Sequence, residues 1–439
     1  MSPALAILKA YAAKRWTLAK LRTKQDVKRR QDKLLASLLD YAGANIPFYK
    51  RHAGKHFAYW PVIDKAQTLA HFSELNAHRV TAEQAWDVAE KSLAEANHSG
   101  RLGDLTIGTS SGTSGNRGLF LISEAERYQW LGSILARTLP DFPFTRHRIA
   151  VMMATGNALY ETTQQSGRLA FGFYDLRHGI ATHREAMEAF APDVLVAPPK
   201  ALRAVAEQNF QIKPAHIFAG GEVLDPLDAI PVTSRYGAMP RSIYQATEGF
   251  IGITCRYGMI HLNEDDMLIE REPVEGHPDR FIPIITDLRR RAQAMIRYRL
   301  NDILVLSPYR CACGSPLQAI DRIEGRCDDV IEVAEGVTLM PEAIRVAILD
   351  AERRLDDFRF EQIGHRRFRV RLPYDAPEES EERVGAALRS LLEQHGGNGI
   401  AIQMARGIHE PIAGKLRRIR RINPSAPASQ AGAMQREWM

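Results

Sequence analysis

From about residue 104 onward, short apolar runs of strand length alternate with stretches of helix length. The apolar runs are 148–154, 193–197, 216–218 and 242–244, and the helical stretches include 123–136 and 200–208. Strands that alternate with helices in this way are typical of an α/β architecture with a substantial sheet. We therefore predict an α/β fold with mixed sheets, and the 439 residues suffice for two or three domains.

The pattern changes after residue 325. Apolar residues alternate over 368–372 as in a strand, recur at helical spacing over 384–392, and form a further run at 400–404. The last residues are rich in Ser, Ala, Pro and Gln, a composition typical of disorder. We predict a large domain over residues 1–327, a small mobile α+β domain over 328–423 and a disordered tail over 424–439.

The first forty residues are predicted to be helical and carry much positive charge. Leu5, Leu8, Ala12 and Trp16 recur at intervals of three or four, which places them on one helix face. Between positions 9 and 33 there are ten Lys or Arg residues against two Asp residues. One interpretation is an amphipathic helix that lies on a membrane or a partner. The other, which we favour, is a solvated helix that packs on the protein body through this apolar stripe.

Composition excludes several classes of protein. Hydrophobic residues make up 45% and charged residues 25%, unlike disordered, collagenous or coiled-coil chains. No apolar run reaches eighteen residues, so no membrane span is predicted. Four cysteines in so long a chain indicate a reducing cytoplasm rather than a secreted disulfide framework. The net charge of +6 suits anionic ligands of several kinds, but no basic groove with interleaved aromatics is evident, so no nucleic-acid partner is predicted.

Residues 109–118 form a stretch of hydroxyls and glycines between apolar runs, with the sequence Thr-Ser-Ser-Gly-Thr-Ser-Gly-Asn-Arg-Gly. Glycines let the backbone approach an anion, while hydroxyls and amides donate hydrogen bonds to its oxygens. The stretch lacks the Gly-Lys-Ser/Thr ending of a Walker loop, and its composition alone also fits a flexible surface loop. The candidate phosphate ligands are Ser110, Ser111, Gly112, Thr113, Ser114, Gly115 and Arg117.

This loop resembles the phosphate loop of the adenylate-forming superfamily, which includes acyl-CoA synthetases, and is most similar to its branch of phenylacetate-CoA ligases and coenzyme-adenylating synthetases. Further segments resemble landmarks of that superfamily, in the same order, along most of the chain. Ala-Gly-Gly-Glu, ending in Gly221 and Glu222, resembles the turn that lines adenine. Tyr-Gln-Ala-Thr-Glu at 244–248 resembles an aromatic-Gly-x-Thr-Glu motif, which implies that Tyr244 lies against adenine, Thr247 contacts phosphate and Glu248 helps to hold Mg²⁺.

Three later segments extend the resemblance. Arg-Tyr-Arg-Leu-Asn-Asp resembles a motif whose last aspartate, here Asp302, accepts hydrogen bonds from the ribose. Gly-Arg-Cys-Asp-Asp resembles the domain junction, which implies that Arg326 reaches phosphate or ribose and that the small domain rotates about Asp328. Gly-Lys-Leu-Arg-Arg resembles the C-terminal motif and implies that Lys415 is the catalytic lysine of adenylation. Without the resemblance, Lys415 is one cation of a solvated or nucleic-acid-binding run.

Three positions depart from the family pattern. Asn116-Arg117-Gly118 stands where many relatives have Pro-Lys-Gly, so Arg117 is the candidate for supplying the positive charge. Gln245 and Asn301 each replace a glycine, at the adenine and ribose motifs respectively. None of these changes removes a charged group that the chemistry needs.

Three cysteines and a histidine have the composition of a zinc site. Cys255 and His261 are separated by five residues, and Cys311-Ala312-Cys313 follows some fifty residues later. Three thiolates and one imidazole can form a closed tetrahedral set, yet the spacing alone leaves ordinary free thiols open as well. Some members of the phenylacetate-CoA ligase branch have a Cys, His, Cys, Cys structural site, which implies structural Zn²⁺ here. The fourth cysteine, Cys327, is expected to be unligated.

The resemblance implies an enzyme that uses ATP and Mg²⁺ to turn a carboxylic acid into an acyl-adenylate and then transfers the acyl group to a thiol, expected to be coenzyme A. Tyr160, Phe171 and Phe173 lie where an acid pocket is expected and suit an aryl or arylalkyl acid, although core packing explains them equally well.

Other functions stay open. The acceptor could be a carrier-protein thiol or an amine, and AMP could instead be placed on a coenzyme hydroxyl, as in deazaflavin-adenylating relatives. A non-catalytic nucleotide-binding scaffold that docks through its basic ends is the alternative from another class. The presence of Glu248, Asp302, Arg326 and Lys415 together counts against a scaffold. Oligomeric state cannot be read from the sequence, so a homodimer remains open.

Overall fold

The computed structural model describes residues 2–94, 100–109, 117–154, 168–408 and 412–422. The chain divides into two compact units. The first comprises Met1–Leu300 with Val305–Arg322, and the second comprises Asn301–Leu304 with Ile323–Met439. The predicted tail over 424–439 lies outside the described residues.

Helices begin where the sequence offers caps. Thr23 and Asp26 form a capping box at the start of the second helix, and Ser123 and Glu126 form another at the start of the fifth, so each pair satisfies amide groups at the helix end. The first forty residues are therefore two helices rather than one. The α-helices in the described ranges are α1 (Pro3–Lys20), α2 (Lys24–Asn45), α3 (Lys65–Ala70), α4 (Ala82–Ala94), α5 (Glu124–Thr138), α6 (Arg184–Phe190), α7 (Pro199–Glu207), α8 (Pro226–Tyr236), α9 (Pro341–Ala351) and α10 (Ser380–Gln394).

Strands occupy the apolar runs that the sequence predicted. The strands in the described ranges are β1 (Arg101–Leu102), β2 (Leu105–Thr109), β3 (Leu119–Ser123), β4 (His147–Met153), β5 (Leu169–Asp175), β6 (Val194–Ala197), β7 (His216–Gly220), β8 (Arg241–Ala246), β9 (Gly249–Thr254), β10 (Ile260–Leu262), β11 (Met267–Val274), β12 (His277–Asp287), β13 (Tyr298–Arg299), β14 (Asp302–Leu306), β15 (Ala319–Arg326), β16 (Ile331–Ala334), β17 (Val337–Leu339), β18 (Arg359–Gly364), β19 (Arg367–Leu372), β20 (Ala401–Arg406) and β21 (Ile419–Arg421). The α/β prediction is confirmed.

Twelve of the described strands, β4 to β15, form one mixed sheet. Within it β5, β4, β6, β7 and β8 are parallel neighbours, and β9 and β10 continue the order in antiparallel fashion. β11 pairs with β12 as a long antiparallel hairpin, and β13 adds to β12. β1, β2 and β3 form a separate antiparallel sheet, in which the β2–β3 hairpin encloses the predicted phosphate loop.

One core of the first unit lies between α1, α5 and the parallel strands. Ile7 and Tyr11 of α1 are buried there against α5 residues such as Leu131 and against the sheet. Gly132 permits the close approach of the two helices, because a Cβ at this position would lie 2.5 Å from the Cβ of Ala10. The middle of α1 is thereby packed closely against α5.

The prediction of which face of α1 packs on the protein body is wrong. Leu5, Leu8 and Trp16 are exposed by 44%, 38% and 65%, so the stripe that we expected to pack on the body faces outward. The helix instead packs through Ile7 and Tyr11. The physical reason is that α1 is apolar on two faces, and residue spacing alone does not tell which face finds a partner.

A buried ion network holds α1 in place. The ammonium of Lys14 lies 2.6 Å from Asp265 and also contacts Asp266, while Arg137 of α5 contacts Asp265. Arg30 of α2 joins the network at 3.0 Å from Asp266. Although burial opposes it, Lys14 and the neighbouring arginines hold the pKa of Asp266 well below its usual range. The network therefore connects three helices to the loop that carries Asp265 and Asp266.

The second unit is a small α+β structure. A four-stranded sheet in the order β20-β19-β18-β21 packs Phe360 and Phe368 of its central strands, whose rings stack at 5.5 Å, into the core. Ile344 of α9 and Leu388 of α10 are fully buried in the same unit. The strand, helix and strand predicted from residues 368–404 are thus observed as β19, α10 and β20.

Across the described ranges, none of the helices combines the length and the apolar character needed to cross a membrane.

Candidate functional site

The loops that follow β6, β7 and β8 lie at one edge of the large sheet. The three strands are parallel neighbours, with Ala197 opposite Ala219 and Gly220 opposite Ile243, so their carboxyl ends point the same way. Ligands of open α/β sheets bind outside this edge. The predicted adenine turn and the predicted Tyr-Gln-Ala-Thr-Glu motif are therefore brought together by strand pairing.

The turn after β7 leaves room beside its backbone. Gly221 has a φ of +80°, a conformation that favours glycine. A Cβ built on Gly220 or Gly221 would meet no heavy atom within 4 Å among the described residues. A flat ligand could therefore lie directly against this main chain. Glu222 follows and is half-buried.

Tyr244 lies within β8, and Thr247 and Glu248 form the two-residue turn that joins β8 to β9. Tyr244 is buried, whereas Thr247 and Glu248 are half-buried at the turn. Ala246 pairs with Gly249 directly beneath the turn, which fixes its position at the sheet edge. The turn thus presents a hydroxyl and a carboxylate side by side.

Tyr298 supports this carboxylate, and sequence reasoning did not assign it a role. Its buried hydroxyl donates a hydrogen bond to Glu248, and burial together with that negative charge raises the pKa of Tyr298 far above its usual range. Tyr298 therefore stays protonated and remains a donor. The tyrosine was visible in the Arg-Tyr-Arg segment, but nothing in the sequence indicated that it reaches the turn.

The predicted phosphate ligands from Ser110 to Gly115 lie outside the described residues. On either side of them, Thr109 of β2 pairs with Leu119 of β3. The predicted phosphate loop is therefore the connection between the two strands of this hairpin. Arg117, at the end of the loop, is exposed.

A buried arginine ties this hairpin to the Thr-Glu turn. Arg290 donates one hydrogen bond to the carbonyl of Thr247, at 2.9 Å, and another to the carbonyl of Leu121 on β3, at 3.0 Å. The neighbouring Gln293 accepts a hydrogen bond from the amide of Leu121 at 3.1 Å. The arginine thus couples two elements of the candidate nucleotide site. Sequence reasoning missed it, because the run Arg289 to Arg291 does not indicate which carbonyl groups Arg290 reaches.

Asp287 lies at the base of the same segment. It is half-buried and accepts hydrogen bonds from the amides of Arg289 and Arg290, at 2.9 and 3.2 Å. Burial raises the pKa of Asp287 to about 6, although Arg290 opposes the shift. This carboxyl shapes the turn from which Arg290 projects.

The remaining predicted nucleotide residues, Asp302, Arg326, Asp328 and Lys415, belong to the second unit. Asn301, one of the departures from the family pattern, donates a hydrogen bond to the carboxylate of Asp328 at 2.6 Å. Its carbonyl also accepts from the amide of Cys327 at 2.8 Å. A glycine at position 301 could not make the side-chain contact, so this chain holds the predicted hinge residue with an extra bond.

The C-terminal basic run is mostly paired with carboxylates of its own unit. Arg417 contacts Asp329, Arg418 lies 2.8 Å from Asp357, Arg420 contacts Glu361, and Arg421 lies 2.6 Å from Glu332. These contacts anchor the irregular segment that contains Lys415 to the body of the unit. These four arginines therefore pair within the unit. Such pairing argues against a solvated basic run that binds a nucleic acid.

The four predicted metal ligands do meet. The ligand atoms of Cys255, His261, Cys311 and Cys313 all lie within 4.8 Å of one another. The sulfurs of Cys255 and Cys311 are 3.5 Å apart, and Nε2 of His261 is 3.3 Å from the sulfur of Cys313. Tetrahedral zinc with Zn–S bonds of about 2.3 Å separates its sulfur ligands by about 3.8 Å, so these atoms are close to metal-binding spacing.

The histidine is oriented for a metal. Nδ1 of His261 lies 3.0 Å from the carbonyl of Leu317, to which it can only donate, so Nε2 keeps its lone pair toward the thiols. Burial also lowers the pKa of His261, which favours the neutral ring that a metal needs. The four donor atoms and the hydrogen bond that orients His261 therefore fit Zn²⁺.

The predicted acid pocket is described only in part. Tyr160 lies outside the described residues. Phe171 and Phe173 lie on β5 with rings stacked at 6.4 Å. Phe171 packs against the core of the first unit, while Phe173 is 38% exposed. Core packing thus accounts for the first phenylalanine, whereas the second is partly exposed at the surface of the unit.

Comparison with solved structures finds similar folds along nearly the whole chain. A 2-hydroxyisobutyryl-CoA ligase, solved in its postadenylation state with 2-HIB-AMP, matches with a TM-score of 0.65 and 18% identity over 94% of this chain and 93% of that one. An open conformation of the same enzyme, with 2-HIB-AMP and CoA, matches with a TM-score of 0.57 and 17% identity over 91% of each chain. An acyl acid amido synthetase in complex with 2,4-DB matches with a TM-score of 0.60 and 14% identity over 96% of each chain.

Sequence comparison adds nothing to this. No protein-family model matches the chain, and no curated protein matches it. Identities below one fifth establish a common fold and leave the chemistry of this chain to be argued from its own residues.

Proposed function

Because this chain has the fold of the adenylate-forming ligases, we propose that it uses ATP to activate a carboxylic acid as an acyl-adenylate and transfers the acyl group to a thiol. The observation that carries the proposal is the edge of the large sheet. There the open Gly220–Gly221 backbone, the buried Tyr244 and the Thr247–Glu248 turn lie together, and Arg290 links that turn to the hairpin of the phosphate loop.

The proposed reaction has two steps. A carboxylate oxygen of the acid attacks the α-phosphorus of ATP, the bond to the β,γ-diphosphate breaks, and acyl-adenylate and pyrophosphate result. A thiol sulfur then attacks the acyl carbon, losing its proton, and AMP leaves with the bonding electrons to give a thioester. The first step is needed because a carboxylate has no adequate leaving group, whereas AMP leaves readily.

Residues of the first unit would bind the base and the phosphates. In this proposal Tyr244 packs against adenine beside the open glycine backbone, and Thr247 donates to a phosphate oxygen. Glu248 would hold Mg²⁺ together with the triphosphate oxygens, and this cation supplies positive charge that offsets phosphate repulsion. The hydrogen bond from Tyr298 supports the position of Glu248.

Residues of the second unit would complete the nucleotide contacts. We assign Asp302 to the ribose hydroxyls, Arg326 to phosphate or ribose, and Lys415 to the charge that develops on the α-phosphate. A small domain over residues 328–423 would rotate about Asp328 between the two steps, a common device for admitting a second substrate. The bond from Asn301 to Asp328 would have to break or move during such a rotation.

The proposal also names the class of acid and the acceptor of the acyl group. Aromatic side chains on β5 favour an aryl or arylalkyl acid, and coenzyme A is the proposed thiol because the 2-hydroxyisobutyryl ligase of the same fold was solved with CoA. The amido synthetase of the same fold supports an amine as the second candidate acceptor.

Pyrophosphate release tests the first step. A panel of aryl, arylalkyl and aliphatic acids is supplied with ATP and Mg²⁺, with and without coenzyme A, and released pyrophosphate and thioester are measured. We expect at least one acid to stimulate release and Glu248→Gln to lower the rate about 10²-fold, because a cation ligand at the triphosphate is lost. Glu275→Gln, on an exposed turn of the same unit, is the matched control and should keep the full rate. Nucleotide binding without release by any acid would support the scaffold instead.

We also propose that Cys255, His261, Cys311 and Cys313 hold a structural Zn²⁺. The cluster would join the end of the β9–β10 hairpin to the loop before β15, and four protein ligands leave no position for a reacting water. Cys255, Cys311 and Cys313 form no disulfide, as metal binding requires and as the expected cytoplasmic location would maintain.

Metal content tests this site. Protein purified without chelator is expected to carry about one zinc per chain, and Cys311→Ser with Cys313→Ser should lose it. Loss of a structural metal should also lower the unfolding temperature by about 5–10 °C. Cys327→Ser, which changes the one cysteine outside the cluster, should retain both the zinc and the unfolding temperature. Metal-free wild-type protein with unchanged stability would contradict the assignment.

A further inference from the structure

The α1 helix carries a second apolar face that the protein body does not cover. Its packed face contains Ile7 and Tyr11, with the hydroxyl of Tyr11 donating to the carbonyl of Pro140 at 2.9 Å. On the other side, residues spaced by three or four positions form one continuous exposed stripe. Its members are Leu5, Leu8, Ala12, Trp16 and Ala19.

The degree of exposure is unusual for such residues. Trp16 is 65% exposed, and Leu5 and Leu8 are 44% and 38% exposed. Single exposed apolar side chains are common on proteins, but a contiguous row of them marks a surface that meets something apolar. Because packing and the Lys14 network already fix the helix, the stripe contributes nothing to holding α1 on the body.

The charges around the stripe are of one sign. Lys9, Arg15 and Lys20 border it, all three are exposed, and α1 contains no acidic residue. The ammonium of Lys20 lies 4.3 Å above the ring of Trp16, so the large aromatic and a cation are presented together. Tryptophan and lysine side by side suit the boundary between lipid tails and headgroups.

We propose that this face of α1, the stripe with its three bordering cations, is a docking surface for an anionic lipid membrane. The helix would lie in the plane of the membrane, with Leu5, Leu8 and Trp16 among the acyl chains and the cations at the phosphate groups. The rest of the protein would stay outside the bilayer. The proposal does not depend on the adenylation chemistry.

Charge favours a membrane over a second copy of the chain. A twofold dimer would bring the same face of two helices together, so the cations of one copy would face those of the other without any acid on α1 to pair them. An anionic lipid surface instead offers phosphates to all of them at once. Each cation near such a surface strengthens binding about fivefold at moderate salt.

Vesicle sedimentation of the full chain tests the proposal. Vesicles of phosphatidylcholine containing phosphatidylglycerol are compared with vesicles of phosphatidylcholine alone. We expect binding to the anionic vesicles, a loss of about fivefold for each of Lys9→Gln, Arg15→Gln and Lys20→Gln, and little binding to neutral vesicles. Raising the salt concentration should weaken binding, since screening shortens the reach of the charges.

A variant of the stripe and a matched control measure what the apolar side chains contribute to vesicle binding, apart from the cations. Leu8→Ser with Trp16→Ser should reduce binding at least tenfold while leaving circular dichroism unchanged, because both side chains are exposed. Ile230→Ser with Met239→Ser removes two apolar side chains that are at least as exposed, elsewhere in the first unit, and should have no effect. No binding to either vesicle, or binding that survives the stripe variant, would overturn the proposal. So would a dimer in sedimentation equilibrium that the stripe variant converts to a monomer.

Discussion

Replacing Lys415 by alanine is expected to slow acyl-adenylate formation by about 10²–10³-fold and to leave thioester formation from a supplied acyl-adenylate nearly unchanged. Negative charge builds on the α-phosphate as the acid attacks, and a cation aimed at it contributes about 3–4 kcal/mol to the barrier reduction. In thioester formation negative charge also develops on the leaving AMP, but the proposed rotation about Asp328 would by then have carried Lys415 away from that phosphate. The substitution should therefore affect the rate of the first half-reaction much more than the rate of the second.

The measurement uses ATP–pyrophosphate exchange for the first half-reaction and a chemically prepared acyl-adenylate with coenzyme A for the second. Arg421→Gln is the matched control, since it removes a neighbouring cation whose exposed pairing with Glu332 contributes little to stability. If Lys415→Ala and Arg421→Gln behaved alike, the segment would be a solvated basic run. Equal loss of both half-reactions would also contradict the assigned role.

Removing the carboxylate of Asp265 is expected to destabilise the first unit by about 3–5 kcal/mol. Asp265 is fully buried and lies against the ammonium of Lys14 and the guanidinium of Arg137, which are themselves almost fully buried. Asp265→Ala removes this counter-ion from Arg137 and leaves Lys14 with Asp266 alone, and a buried charge that has lost its partner is costly. The urea unfolding transition, followed by circular dichroism, measures the loss.

Two further variants make this test specific. Asp265→Asn keeps the shape and some hydrogen bonds but removes the charge, so an intermediate loss is expected. Asp32→Ala breaks an exposed pair with Lys28 and should cost less than about 1 kcal/mol. A loss for Asp265→Ala no larger than that for Asp32→Ala would show that the network does not hold the helices.

Local features of the fold were predictable because they depend on neighbours in the chain. The runs that form β4, β6, β7 and β8 are short, apolar and separated by helical stretches. This pattern predicts strands from the sequence alone. The same holds for β19, α10 and β20 of the second unit. Caps such as Ser123 with Glu126 likewise act within four residues.

Parts of the candidate site were predictable for a different reason. The Thr247–Glu248 pair and the adenine turn were found through resemblance to a family, and the structure brings them to one sheet edge through strand order. The metal cluster was predicted from its residue types together with the resemblance, since the spacing alone left ordinary free thiols open, and the four ligand atoms meet within 4.8 Å. Arg290 and Tyr298 escaped notice because an arginine or a tyrosine in a strand-rich segment carries no signal of its distant partner.

The amino-acid sequence by itself determined which segments are strands and helices, which residue types are available for phosphate, ribose and metal, and that α1 is apolar. Only the tertiary structure decided which face of α1 is covered, that Lys14 is buried among carboxylates, and that Arg290 joins two loops far apart in the chain. The physical reason is the distance along the chain over which each interaction acts. Periodicity and capping act within a few residues, whereas burial and ion pairing depend on which surfaces meet after the chain has folded.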